Sequence, residues 1–112
     1  MEIYNLDDGK TYTLRMIDRR TGIDWARDWI GDNSGITYNE ALDRYEVSTP
    51  DLDYWIALQG EYQAIYDLQH DLTLDHGIDA VQAVIDGVGS VEFDQYPSIV
   101  FRALTDRFGI FR

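Results

Sequence analysis

An α+β fold follows from three features of this 112-residue sequence: β-prone runs confined to the first 48 residues, a proline-led helix start at Ser48-Thr49-Pro50-Asp51, and apolar residues at helical spacing beyond it. The expected architecture is a small, mainly antiparallel sheet of three or four strands (residues 1–48) packed with a long central helix and two further helices. The length suits a single domain, 1–112, large enough to bury a core without covalent staples.

The sheet begins with Glu2 to Leu6 and Thr11 to Ile17, two β-prone runs separated by Asp7-Asp8-Gly9-Lys10, and the Asp-Gly pair predicts a hairpin. Tyr12, Leu14 and Met16 alternate with Thr11, Thr13 and Arg15, the period of a strand with one buried face. Thr21, three residues before Asp24, predicts an N-capped short helix through Trp25, Trp29 and Ile30, stopped by the Gly31 to Gly35 turn cluster. Ile36 to Tyr38 and Arg44 to Ser48 read as two more strands, joined by a helical turn or loop over Asn39 to Asp43.

At Ser48 a hydroxyl cap, a proline at the first helical position and an acid near the positive end of the dipole coincide, predicting a helix from Pro50 to about Leu72. Leu52, Trp55, Ile56, Leu58, Tyr62, Ile65, Tyr66 and Leu72 fill an arc of roughly 200°, too broad for one-sided packing, so this helix should be central. Its remaining face carries Asp53, Ala57, Gly60, Ala64, Asp67 and Asp71, with Glu61 at the margin. Asp75-His76-Gly77 breaks the period. Ile78, Val81, Val84, Ile85 and Val88 then mark a second helix with Asp79, Gln82 and Asp86 on its polar side, ended by Gly87 and Gly89. Pro97 opens the last helix, with Val100, Phe101, Leu104 and Phe108 inward and Gly109 as its C′ residue; Ile110 and Phe111 are expected to pack back on the core.

Charge is distributed unevenly over these elements. Residues 45–101 hold eleven carboxylates and no lysine or arginine, whereas the rest of the chain has ten acids against nine bases, for a net charge of −12. A one-sign surface on half of a small domain points to a basic partner. It also opposes binding to nucleic acid or an anionic membrane, which requires a basic footprint. Adaptation to high salt would also enrich Asp, but such a pressure should act along the whole chain, and residues 1–44 stay near neutrality with Arg15, Arg19, Arg20, Arg27 and Arg44 among their acids. No cysteine is present, so no disulfide framework or thiolate metal site is expected. With no basic-then-apolar leader in MEIYNLDDGK and no uninterrupted apolar span, a cytosolic location is expected.

Catalytic signatures are missing: no P-loop, GxGxxG, HExxH or nucleophile elbow occurs. His70 and His76, near Asp67, Asp71 and Asp75, are the one place where a metal-dependent or acid–base site could be assembled. Against that, Asp67 and His70 are simply i, i+3 on a solvated helix, and six residues across a helix break is no standard ligand spacing. Asp28 to Gly35 has the outline of a calcium loop but places Ile30 and Ile36 where oxygen ligands belong. Among the aromatic residues, Trp55, Tyr62 and Tyr66 fall on the core face, so packing explains them better than base stacking.

What remains is the acidic pattern. Asp67, Asp71, Asp75 and Asp79 recur every four residues, a rise of about 6 Å, near the spacing of successive phosphates along a nucleic-acid strand. An ordinary solvated face would interleave opposite charges at i, i+4, and here no base is near in sequence. Repulsion between such neighbours costs on the order of 1 kcal/mol in all once screened, which a domain of ordinary stability tolerates. In size, absence of cysteine, charge and acidic helix faces such as Asp53/Asp67/Asp71 and Asp79/Asp86, the chain resembles small acidic proteins of phages and mobile elements that act as nucleic-acid mimics, including many anti-CRISPR and antirestriction proteins. Members of that class share neither fold nor sequence, so the resemblance implies a mode of action and a kind of partner, not residue roles.

The expected function is therefore a non-enzymatic inhibitor, without cofactor or metal, that occupies a basic nucleic-acid-binding groove of a bacterial defence complex such as a CRISPR effector or restriction enzyme. Asp53, Glu61, Asp67, Asp71, Asp75, Asp79 and Asp86 would supply its phosphate-like charges. One alternative is an immunity protein or antitoxin covering a basic toxin nuclease, which would carry a similar face. A second is a small metal-dependent enzyme around His70 and His76.

Overall fold

A computed structural model of the chain describes residues 1–28 and 34–109. β1 (Glu2–Asn5) pairs antiparallel with β2 (Thr11–Thr13), Ile3 opposite Tyr12, across a turn in which Gly9 adopts φ +70°. The second strand is shorter than the expected Thr11 to Ile17 because two glutamines of the long helix take over the peptide groups beyond Thr13. Gln59 Oε1 accepts from the Arg15 N–H at 2.6 Å, and the Gln63 amide both accepts from Ile17 N–H (3.0 Å) and donates to Ile17 C=O (3.1 Å). An edge segment that would otherwise expose a row of backbone donors and acceptors is thereby satisfied by side chains.

The helix expected from Thr21 is replaced by a second small sheet, β3 (Ile17–Asp18) paired antiparallel with β4 (Ile23–Asp24). Thr21 and Gly22 form its turn, both N–H groups bonding to the Asp18 carbonyl, with Gly22 at φ +74°. Asp24, read in the sequence as a capping acid, instead accepts from the backbone N–H of Met16 and of Ala26, each at 3.0 Å. Trp29, Ile30 and most of the Gly31 to Gly35 stop lie outside the described residues, as does most of the rejected calcium loop. β5 (Thr37–Asn39) and β6 (Arg44–Val47) are the other two expected strands, paired antiparallel, and the Asn39 to Asp43 connection is a turn with Asp43 at φ +49°. The main sheet has the order β2-β1-β6-β5 and is mixed, since β1 and β6 run parallel. Register places Ile3, Asn5 and Val47 on its core face and Glu2, Tyr4, Thr11, Thr13, Arg44 and Glu46 on the outer one.

α1 (Thr49–His76) is longer than predicted, running through Asp75 and His76 to a break at Gly77, φ +90°. Its first turn is capped from a distance. The Asp7 carboxylate in the β1–β2 turn accepts from the Thr49 N–H at 2.7 Å, while the Ser48 hydroxyl donates to Asp51 instead of capping the backbone. α2 (Ile78–Val88) contains Gly87 and ends at Gly89, and α3 (Tyr96–Phe108) ends on Gly109 in the left-handed region. The expected return of Ile110 and Phe111 to the core lies outside the described residues.

Two apolar clusters divide the molecule. The sheet and hairpin contribute Ile3, Leu14, Met16 and Val47, which bury Leu52, Trp55, Leu58 and Tyr62 of α1; further along, Ile65, Leu68 and Leu72 pack with Val81 of α2 and with Val100 and Leu104 of α3. Because α1 is covered by different layers along its length, Ile56 falls in neither covered sector and is 39% exposed. Ile78, the first residue of α2, and Phe101, one position past the buried Val100 of α3, were also expected inward but are exposed. Tyr62 joins the clusters, stacked with Phe93 (4.9 Å) and Tyr96 (5.4 Å) and donating its hydroxyl to the Phe93 carbonyl at 2.7 Å. Burial pushes its pKa far above the ordinary tyrosine range. The Trp55 indole likewise finds the Ser34 carbonyl at 2.7 Å. Among the described residues no helix is long and apolar enough to cross a membrane.

Candidate functional site

α1 runs most of the 48 Å length of the molecule, so it decides where the acidic residues lie. Asp53, Asp67, Asp71 and Asp75 fall within an arc of about 80° when wound at 100° per residue, and Asp53 to Asp75 spans about 33 Å of helix. Asp53, Asp71 and Asp75 are exposed, as are the small residues Ala57, Gly60 and Ala64 beside them. The face is uncovered. Beyond the Gly77 break, Asp79 in the first turn of α2 and Asp86 near its end are exposed too. Asp79 sits where the helix dipole favours an anion, whereas Asp75 and Asp86 sit in the last turns of their helices, where it does not.

Not all seven predicted residues are equivalent. Asp67 is half-buried; Arg19, next to the β3–β4 turn, reaches it at 4.0 Å, and Gln63 Nε2 donates to it at 3.2 Å. A base absent from the local sequence is thus supplied by the fold. A pair this exposed contributes at most about 1 kcal/mol, yet it removes one charge from the uncompensated set. Arg20 extends toward α2, where its Nη1 donates to Gln82 Oε1 at 3.4 Å, and Gln82 Nε2 donates to Asp86 at 2.9 Å. Glu61 lies off the α1 arc, on the side of Tyr54, whose hydroxyl pKa is raised by burial and by the nearby charges of Asp94 and Glu61.

The fold adds members that the sequence reading did not single out. Glu92 and Asp94, in the α2–α3 connection, are exposed. Leu74, 72% exposed, and Ile78, 50% exposed, stand among Asp71, Asp75 and Asp79 at the α1–α2 elbow. A break in helical period next to two large apolar residues was the available signal for that exposed elbow. His70 and His76 do not converge on a reactive arrangement: His70 is half-buried, and the exposed His76 stacks on Phe108 at 4.5 Å. Among the described residues, no group of three or more His, Asp or Glu side chains is arranged to hold a metal ion. The chemistry this surface offers is electrostatic: several carboxylates, held on two helices that carry no lysine or arginine, with Arg19 and Arg20 at the hairpin edge and Arg102 and Arg107 on α3. Comparison of the chain with protein-family models, with curated proteins and with solved structures finds no match.

Proposed function

We propose that the protein is a non-enzymatic inhibitor whose acidic helical surface occupies a basic nucleic-acid-binding groove of a bacterial defence complex, a CRISPR effector or restriction enzyme. One observation carries the reading: Asp53, Asp71 and Asp75 are exposed along α1, Asp79 continues the row on α2, and none of them forms an ion pair among the described residues. Asp71 and Asp75 stand about 6 Å apart along α1, near the spacing of successive phosphates, with Asp53 about 27 Å back along the same helix and Asp79 just past the Gly77 break. Asp67, held by Arg19, marks its inner border, and Asp86 and Glu61 broaden it. Complementary charge would raise the association rate and exclude the nucleic acid by occupying the same cations.

Competition provides the test. Increasing amounts of the protein are added to a purified defence complex bound to its labelled nucleic acid, at about 50 mM and about 500 mM salt, conditions on either side of physiological screening. Displacement at low salt that weakens at least about tenfold at high salt is the expected result. No displacement at either salt, or equal displacement at both, rejects the electrostatic reading. Displacement from a toxin nuclease but from no defence complex would assign the same surface to an immunity protein.

A further inference from the structure

The outer face of the main sheet carries an open depression of about 860 Å³, on elements other than the acidic helices. Its lining is unlike the rest of the molecule. Arg15, Arg27 and Arg44 face it against only Glu2 and Asp43, in a chain whose net charge is −12. Asp43 is already engaged, accepting from the Tyr38 hydroxyl. Arg44 sits over Tyr4, its guanidinium carbon 3.7 Å from the ring centroid, and donates from Nε to Glu46 at 2.9 Å. That pairing fixes a planar platform and neutralises it. Arg15 and Arg27, by contrast, form no ion pair among the described residues.

We propose that this depression binds a nucleoside monophosphate, with the base on the Tyr4–Arg44 platform and the phosphate between Arg15 and Arg27. Two guanidiniums outside any ion pair among the described residues, with Asp24 the nearby acid that lies close to Arg15, match a phosphate dianion in charge, and each offers a forked pair of donors to its oxygens. Thr11 and Thr13, on the same sheet face, add hydroxyl donors, and Glu2 is an acceptor for ribose hydroxyls. A guanidinium stacked on a tyrosine presents its outer surface to an aromatic ring, the geometry that favours a base over a flexible anion.

The ¹⁵N-labelled protein, titrated separately with adenosine monophosphate, adenosine and inorganic phosphate, tests the proposal. Saturable shifts at Tyr4, Thr11, Thr13 and Arg44, with the nucleotide binding more tightly than either fragment, are expected. Arg15→Ala with Arg27→Ala should weaken nucleotide binding at least about tenfold at an unchanged melting temperature. If that pair does not fold, Arg27→Gln alone should show a loss in the same direction. No saturable shift up to about 10 mM nucleotide, phosphate binding as tightly as the nucleotide, or an Arg variant that binds as wild type would each overturn it. Failure here leaves the acidic-face reading untouched, because the two tests use different residues and different ligands.

Discussion

Gln69 is fully buried in the helical half of the core, and among the described residues neither its Nε2 nor its Oε1 finds a hydrogen-bond partner. Each buried polar group left unpaired costs about 1–3 kcal/mol, so an apolar residue of similar size should be preferred here. Gln69→Leu is expected to stabilise the protein by about 1–3 kcal/mol in urea denaturation, with the slope unchanged. A less stable variant would mean that the amide is satisfied, by a bound water for instance, and the assignment would fall. Asp18 and Arg20 show the opposite treatment of buried polarity. Their side chains, 6% and 8% exposed, meet through two contacts of 3.2 Å, and Asp18 also accepts from the Arg20 N–H. Every charge there is paired. Removing one partner would strand the other, which is why this turn tolerates buried charge while Gln69 is a liability.

At the scale of elements, the β3–β4 hairpin depends on Asp24, whose carboxylate holds the Met16 and Ala26 N–H groups. Burial pushes its pKa up, but those two donors, together with the positive N-terminus and Arg15, outweigh burial, so it lies below the ordinary value of 3.8. A depressed carboxyl contributes stability that is present above the unfolded pKa and lost as pH falls through the folded one. Wild type should therefore exceed Asp24→Asn in stability at about pH 7, and the gap should close below about pH 4, read by denaturant titration at both pH values. A gap independent of pH would mean that the charge on Asp24 is not what holds the hairpin. The same residue explains what the sequence could not reveal. Thr21 and Asp24 satisfy a local capping pattern, yet Thr21 closes a turn on the Asp18 carbonyl and Asp24 accepts across the hairpin from the Met16 N–H. Elements governed by neighbours in sequence, such as the Asp-Gly turn, the proline-led start of α1 and the Gly109 cap, were legible. The Asp7 cap, 42 residues from Thr49, and the Gln59 and Gln63 bonds to the strand edge were not. Among the acidic residues, periodicity identified the exposed face of α1 but gave no sign of Arg19 beside Asp67.

At the scale of the whole molecule, the decisive property is that α1 and α2 carry eight carboxylates and no lysine or arginine, while five of the eight arginines lie in residues 1–44. Self-repulsion on the helices is a standing cost, and its placement makes the function separable from the fold. Asp71, Asp75 and Asp86 are exposed, and Asp75 and Asp86 lie in the last turns of α1 and α2, where a cation interacts better with the dipole than an anion by about 0.3–1 kcal/mol. Replacing these three by lysine changes the net charge by two each, from −12 to −6, and leaves the Arg19–Asp67 contact in place. The triple variant should melt at or above the wild-type temperature, since repulsion is relieved and no buried contact is lost. It should nevertheless fail to displace nucleic acid from a defence complex, because the middle of the anionic row has been inverted. A thermal melt paired with the competition assay separates the two effects. A variant that melts normally and still competes fully would show that these carboxylates are ordinary solvated side chains and that the inhibitory surface, if there is one, lies elsewhere.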